Sequence, residues 1–125
     1  MISFDVAILG SGLAGLASAL KLASTQKVVI VTKKAMLDGA SDWAQGGIAA
    51  VVDAFDTHES HIEDTLIAGA HLSDQDITRL VVENGAEGIN WLINQGVNFT
   101  RDKNTDSGLH LTIEGLSLIH ISEPT

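Results

Sequence analysis

Phe4-Asp5-Val6-Ala7-Ile8-Leu9-Gly10-Ser11-Gly12-Leu13-Ala14-Gly15 is the stretch that decides the fold. Phe4 to Leu9 is short and almost continuously apolar, the pattern of a parallel strand covered on both faces. Gly10-Ser11-Gly12 ends it. From Leu13 to Ala23 the apolar positions Leu13, Leu16, Ala17, Leu20 and Ala23 recur at helical spacing and are good helix formers. Val28-Val29-Ile30-Val31 is β-branched and again strand-like. Strand, glycine turn, helix and strand in about thirty residues make one βαβ unit, with a parallel pair and a right-handed crossover. The predicted fold class is therefore α/β.

Gly10-Ser11-Gly12-Leu13-Ala14-Gly15 is a GxGxxG placed between a predicted strand and a predicted helix, the setting in which that pattern signals dinucleotide binding. Gly10 would allow the tight turn, Gly12 the approach of a pyrophosphate to the backbone, and Gly15 the close packing of helix on strand. The helix N-terminus then offers unpaired N–H groups and partial positive charge to the phosphates. The alternative is a compact strand-to-helix turn with no ligand. Rossmann sites usually carry an Asp or Glu at the end of the second strand for the ribose hydroxyls. Here Thr32-Lys33 stands there. The pair can donate and accept toward adenosine or phosphate oxygens, or be a polar strand end facing water.

Working outward, Lys33 to Gly47 has no clean period and contains Asp38-Gly39 and Gly46-Gly47, so it reads as a long loop that covers something. Two helical segments are predicted after it, His61 to Leu72 and Asp74 to Gln95, with Ser73 as an N-cap and Gly96 just past the C-terminus. Gly85 and Gly88 would divide the second segment or admit another element closely. His58 and His61, with Glu59, Glu63 and Asp64 nearby, read as a helix entry with a solvated acidic face rather than a metal site. Trp91 lies on the apolar stripe and reads as packing. Arg101 to Asp106 is mixed in charge and turn-like, a surface connection.

The 125 residues are 45% apolar and suit one modest core. No cysteine is present, which excludes disulfides, thiolate metal sites and cysteine nucleophiles. A formal charge of −9 with no basic stripe disfavours nucleic acid as a partner. Phe4 to Leu9 is too short to span a bilayer, and the first residues lack a secretory signal's basic and apolar regions. No membrane partner is expected, the chain is expected to start at or near Met1, and a cytoplasmic location is compatible.

Gly10 to Gly15, Thr32-Lys33 and Ser41-Asp42-Trp43-Ala44-Gln45-Gly46-Gly47-Ile48-Ala49-Ala50 together resemble the L-aspartate oxidase family, which stands with the succinate dehydrogenase and fumarate reductase flavoproteins. The likeness continues through His61 to Ala70, Trp91 to Val97 and His110 to Gly115. The Ala44 to Ala50 run followed by Glu63-Asp64-Thr65-Leu66 carries the assignment, because the glycine motif alone is shared by many oxidoreductases.

That resemblance implies an FAD-binding Rossmann-type domain, its N-terminal βαβ unit plus helices, incomplete at this length. It implies FAD contacts from Gly10, Ser11, Gly12, Leu13, Ala14, Gly15, Thr32 and Lys33, with Ala40, Ser41, Asp42, Trp43, Ala44, Gln45, Gly46 and Gly47 wrapping toward the flavin. Ala40 stands where covalent relatives carry a flavin-linking histidine, so FAD is expected without a covalent bond. Trp43 would lie against the flavin or fill the loop. The implied reaction is oxidation of L-aspartate to iminoaspartate, hydride passing to FAD and on to oxygen or fumarate, in NAD biosynthesis. Glu114 falls on the family's Glu-Gly element near the substrate; a solvated glutamate after a strand is the alternative. The family's catalytic arginine lies downstream of this sequence. Rival readings are a fumarate reductase or succinate dehydrogenase flavoprotein, or a non-catalytic dinucleotide-binding module.

After Gly115 the likeness stops abruptly at Leu116-Ser117-Leu118-Ile119-His120-Ile121-Ser122-Glu123-Pro124-Thr125. Residues 1–115 are read as the N-terminal part of an FAD-binding domain. Residues 116–125 are read as a tail that looks like a translated sequencing-library adaptor, whose alternating apolar residues carry accidental strand propensity. A chain of this length is expected to bind FAD weakly and not to turn over.

Overall fold

The computed structural model describes residues 1–36, 38, 47–114 and 118–122, with side chains described as far as residue 112. It divides into two compact units, Met1–Gln45 and Gly46–Thr125.

The first unit is the predicted βαβ. Strand β1 (Val6–Leu9) pairs in parallel with β2 (Val28–Val31), Val6 opposite Val28 and Leu9 opposite Val31. Polar bonds pin both ends of this register. At the start the Asp5 carboxylate accepts the Lys27 N–H at 2.8 Å, and at the end the Gly10 N–H donates to the Val31 carbonyl at 2.9 Å. The first strand is shorter than the predicted Phe4 to Leu9, because Asp5 is committed to this pinning and Phe4 stays exposed. Helix α1 (Leu13–Leu22) packs on the pair and buries Ala19. Leu9, 83% exposed, and the exposed Leu13, Leu20 and Val31 are left without cover among the described residues. A parallel pair normally has both faces covered.

The second unit has a true core. Strand β3 (Gly47–Ala49) leads to α2 (His58–Ala68), α3 (Gln75–Glu83), α4 (Gly85–Asn94), β4 (Leu111–Glu114) and β5 (Leu118–Ser122). The strands pair antiparallel in the order β3-β5-β4, with Ile48 opposite Ile121 and Thr112 opposite His120. The central strand thus falls on the stretch read as a foreign tail with strand propensity. Ala50, Ile89, Phe99 and Leu109 are buried together, with Ile48, Val52, Leu92, Ile93, Val97 and Leu111 packed around them. Ile62 of α2 and Val82 of α3 are buried, and the two helices pack against each other.

The helix boundaries correct the sequence reading. Thr57 caps α2, its hydroxyl accepting the Ser60 N–H at 3.1 Å, so that helix begins three residues before His61. It stops at Ala68, short of Leu72, because Ala70 and His71 turn left-handed with φ of 51° and 57°. Asp74 rather than Ser73 caps α3: its carboxylate accepts the Ile77 N–H at 2.9 Å and also suits the helix dipole. The segment Asp74 to Gln95 is two helices, broken at Asn84, whose side chain donates to the Leu80 carbonyl at 2.8 Å. Gly85 permits the close approach of Ala50, whose Cβ would lie 3.3 Å from a Cβ placed there, whereas at Gly88 no atom of the described residues lies within 4 Å. Helix α4 stops at Asn94, one residue short of the predicted Gln95, and Gly96 stands just past its C-cap as predicted with φ of 95°: the Gly96 N–H donates to the Ile93 carbonyl and the Val97 N–H to the Leu92 carbonyl. The Arg101 to Asp106 connection folds back on itself, with the Thr105 hydroxyl donating to the Leu109 carbonyl at 2.7 Å.

Candidate dinucleotide site

The glycine turn is built from backbone alone. Gly10 adopts φ of 107°, which a side chain would strain, and its N–H closes onto Val31. A Cβ on Gly15 would collide with the Gly10 carbonyl oxygen and stand 3.4 Å from Ile8 Cγ2, so helix and strand touch only because that position is glycine. Gly12 differs: a Cβ there would meet no atom of the described residues within 4 Å. Among the described residues no neighbour therefore requires glycine at Gly12, and the bare backbone leaves room there for a ligand to approach. Gly12 is also the N-cap of α1; it supplies no side-chain cap bond, and no acidic residue occupies the first turn. The positive end of the helix is left for an anion.

The turn opens on a cleft of about 310 Å³ lined by Gly10, Ser11, Gly12, Thr32, Lys33, Lys34, Ala35 and Asp38. That volume is at the small end for ligand pockets. It suits the adenosine and phosphate end of a dinucleotide. The end of β2 bends immediately after Thr32, whose hydroxyl donates to the Lys34 carbonyl. Lys34 Nζ lies 3.8 Å from an Asp38 carboxylate oxygen. Lysine donors, helix N–H groups and an unobstructed glycine form a donor set matched to a pyrophosphate.

Of the residues singled out in the sequence, Gly10, Ser11, Gly12, Thr32 and Lys33 come together around this cleft. Leu13 and Ala14 are exposed in the first turn of α1 beside it, outside its lining. Ala40, Ser41, Asp42, Trp43, Ala44, Gln45 and Gly46 lie outside the described residues. Gly47 opens β3 opposite Ser122, and Glu114 ends β4 opposite Leu118. The sequence reading missed Lys34, Ala35 and Asp38; the second lysine beside Lys33 was the available signal.

A larger cleft, about 470 Å³, lies along α2 and α3 and is lined by Glu59, Ile62, Glu63, Leu66, Ile67, His71, Gln75 and Arg79. Its glutamates repel phosphate, and Arg79 is engaged by Glu59 at 3.8 Å and Glu83 at 3.2 Å. His61 is not on a solvated face: it is buried, and burial lowers its pKa from the ordinary 6.5 against the opposing pull of Asp56 and Asp64. Among the described residues no group of three or more His, Asp or Glu could hold a metal ion, and no helix is long and apolar enough to cross a membrane. Trp91 is half-buried on α4.

A family model described as an FAD binding domain matches residues 5–117. The chain is 54% identical to L-aspartate oxidase 1 of Ralstonia nicotianae, across 98% of its own length and 24% of that protein's. It is 46% identical to the L-aspartate oxidase of Pseudomonas aeruginosa, across 97% and 24%. Among solved structures it resembles the Mycobacterium smegmatis Sdh1 complex in the apo form, with a TM-score of 0.81 and 25% identity over 96% of this chain and 21% of that one. It also resembles E. coli quinol fumarate reductase FrdA, with a TM-score of 0.78 and 28% identity over 87% and 19%. The chain thus spans about a quarter of the length of the curated relatives it matches.

Proposed function

Because the chain belongs to the FAD binding domain family and FAD is its cofactor, we propose that the cleft between the glycine turn and the end of β2 holds the ADP part of FAD. Gly10 shapes the turn, Gly12 admits the pyrophosphate, and Gly15 seats α1 so that its N-terminus meets the phosphates. Ser11 and Lys33 donate to phosphate or ribose oxygens. Leu13 and Ala14 contribute first-turn N–H groups. Ala40 to Gly47 carries the path toward the flavin, and FAD sits without a covalent bond because Ala40 offers no nucleophile.

The protein carrying this chain oxidises L-aspartate, as its curated relatives are named for doing. The substrate gives up its Cα hydrogen as hydride and an amino proton, leaving iminoaspartate. FAD, when bound, supplies the two-electron sink, and oxygen or fumarate takes the electrons on. This chain's own residues bind and orient; Glu114 is assigned to the substrate pocket. Residues 116–125 are read as a tail foreign to the domain, on the abrupt change of sequence after Gly115. Long reads across the Gly115 codon that continue in family-like sequence are expected; a frame that ends naturally at Thr125 would overturn that assignment.

The observation that carries the cofactor reading is the empty surround of Gly12, and it gives a clean test. Gly12→Val meets no described residue and keeps an ordinary φ of −71°, so the variant is expected to fold, yet its side chain stands where a pyrophosphate would lie. The full-length protein should purify yellow and bleach with L-aspartate under nitrogen, and acid precipitation should release all flavin. The Gly12→Val protein should fold and purify colourless. A yellow Gly12→Val variant, or bleaching by succinate and not aspartate, would refute the reading.

A further inference from the structure

The second unit closes an apolar core of its own, and α3 is the exception. At helical spacing Ile77, Leu80 and Val81 share one face of α3 and are 58%, 58% and 65% exposed. The other side of the helix is turned to α2 and carries charge: Arg79 pairs there with Glu59 at 3.8 Å, and Thr78 and Val82 are the positions that α3 buries. A surface helix ordinarily turns its apolar stripe inward and its charges out. Helix α3 does the reverse. Its outer stripe is also prepared for burial. The Ile77 N–H donates to the Asp74 carboxylate at 2.9 Å, and the Leu80 carbonyl accepts the Asn84 side chain at 2.8 Å. A cover laid over the stripe therefore leaves neither backbone group in need of water. Leu72, three residues before the helix, is 90% exposed as well.

We propose that the Ile77, Leu80 and Val81 face is an internal docking surface, covered in the full-length protein by an apolar segment of the polypeptide beyond Gly115. This rests on the reading that the chain continues as a full-length flavoprotein, and on nothing about the cofactor cleft. Length supplies the occupant. The chain matches 24% of each of the two L-aspartate oxidases compared, so about three quarters of such a protein lies outside it. A second copy fits less well. Nine residues at about 1.5 Å each make a strip about 13 Å long and roughly 10 Å wide, far below the roughly 800 Å² that each partner buries in a stable dimer. The copy would also bring its own formal charge of −9 against an equal one. A segment of the same polypeptide is held at high local concentration and needs no such area.

The test uses the full-length protein purified with its FAD. Val81→Cys should react with a maleimide about a hundredfold or more slowly in the native protein than in urea, as a position reached only by local opening does. That rate should not change with protein concentration. An aliphatic diazirine amino acid in place of Leu80 should, on irradiation, cross-link to peptides beyond residue 115. Labelling at the denatured rate, protection that grows with concentration, cross-links between two copies, or cross-links confined to residues 1–115 would each overturn the proposal. Should the diazirine protein fail to fold, the Val81→Cys rates still decide between a covered and an open face. None of these results depends on Gly12→Val, which decides the cofactor cleft alone. A reading frame that ends naturally at Thr125 removes the full-length protein itself, and the proposal with it, before any labelling.

Discussion

The βαβ unit and the unit that follows it are held together by different means. In the first, Ala19 is the one buried hydrophobic residue among those described, and order comes from a backbone ladder pinned by Asp5 and Gly10 and from a glycine contact between helix and strand. In the second, Ala50, Ile89, Phe99 and Leu109 form a buried apolar cluster with Ile48, Leu92, Ile93 and Leu111 packed against it. The first unit concentrates its sequence constraint where a ligand would lie and leaves apolar faces open. The second spends its apolar residues on itself. Substitutions in the packed unit should therefore register as stability, and substitutions at the glycine turn as affinity.

The largest effect tests the packed side of that contrast. Phe99 is 4% exposed at the centre of the cluster, and Phe99→Ala is expected to cost about 3–5 kcal/mol. Denaturant unfolding of the second unit measures it; a loss below about 1 kcal/mol would mean the cluster is not a packed core. Next comes the glycine side. Gly15→Ala forces a methyl against the Gly10 carbonyl oxygen, an overpacking worth about 1–3 kcal/mol. Because the displaced group is the turn itself, that cost should appear as roughly a tenfold or greater rise in the FAD dissociation constant. If Gly15→Ala lowers the melting temperature but leaves FAD affinity intact, the division between the two regions fails. A smaller effect is expected at α3, where Asp74→Ala removes the N-cap bond to Ile77 and should cost about 1 kcal/mol. Ser73→Ala, one residue earlier, should change little.

The same contrast explains what could be read from sequence. β1, the turn, α1 and β2 are determined within a few residues of each other, so the β-branched run Val28–Val31 and the glycine spacing located them almost to the residue. The helices of the second unit depend on caps and tertiary contacts. Thr57 sits in a polar run with no apolar period to announce it, and the break at Asn84 is set by a side-chain bond to Leu80 and by Ala50 approaching Gly85. At the cleft, the glycines and Thr32-Lys33 belong to a recognisable pattern. Lys34, Ala35 and Asp38 enter because the chain bends after β2, and no local periodicity encodes that bend.

His61 supplies the smallest expected effect and the one that best probes how the second unit handles a polar group. It is 7% exposed, and its Nδ1 and the Asp56 Oδ2 are both buried with no hydrogen-bond partner among the described residues. Desolvation lowers the histidine's pKa below 6.5, aided slightly by His58, while Asp56 and Asp64 pull the other way. The folded state therefore holds its proton less tightly than the unfolded chain. The resulting stability is fully present above the unfolded value near 6.5 and is lost as pH falls through that value toward the folded pKa. Unfolding midpoints for the parent and for His61→Gln, measured between neutral and mildly acidic pH, should converge as pH drops. Parallel profiles would mean that His61 titrates alike in both states, and that burial leaves its proton equilibrium unchanged.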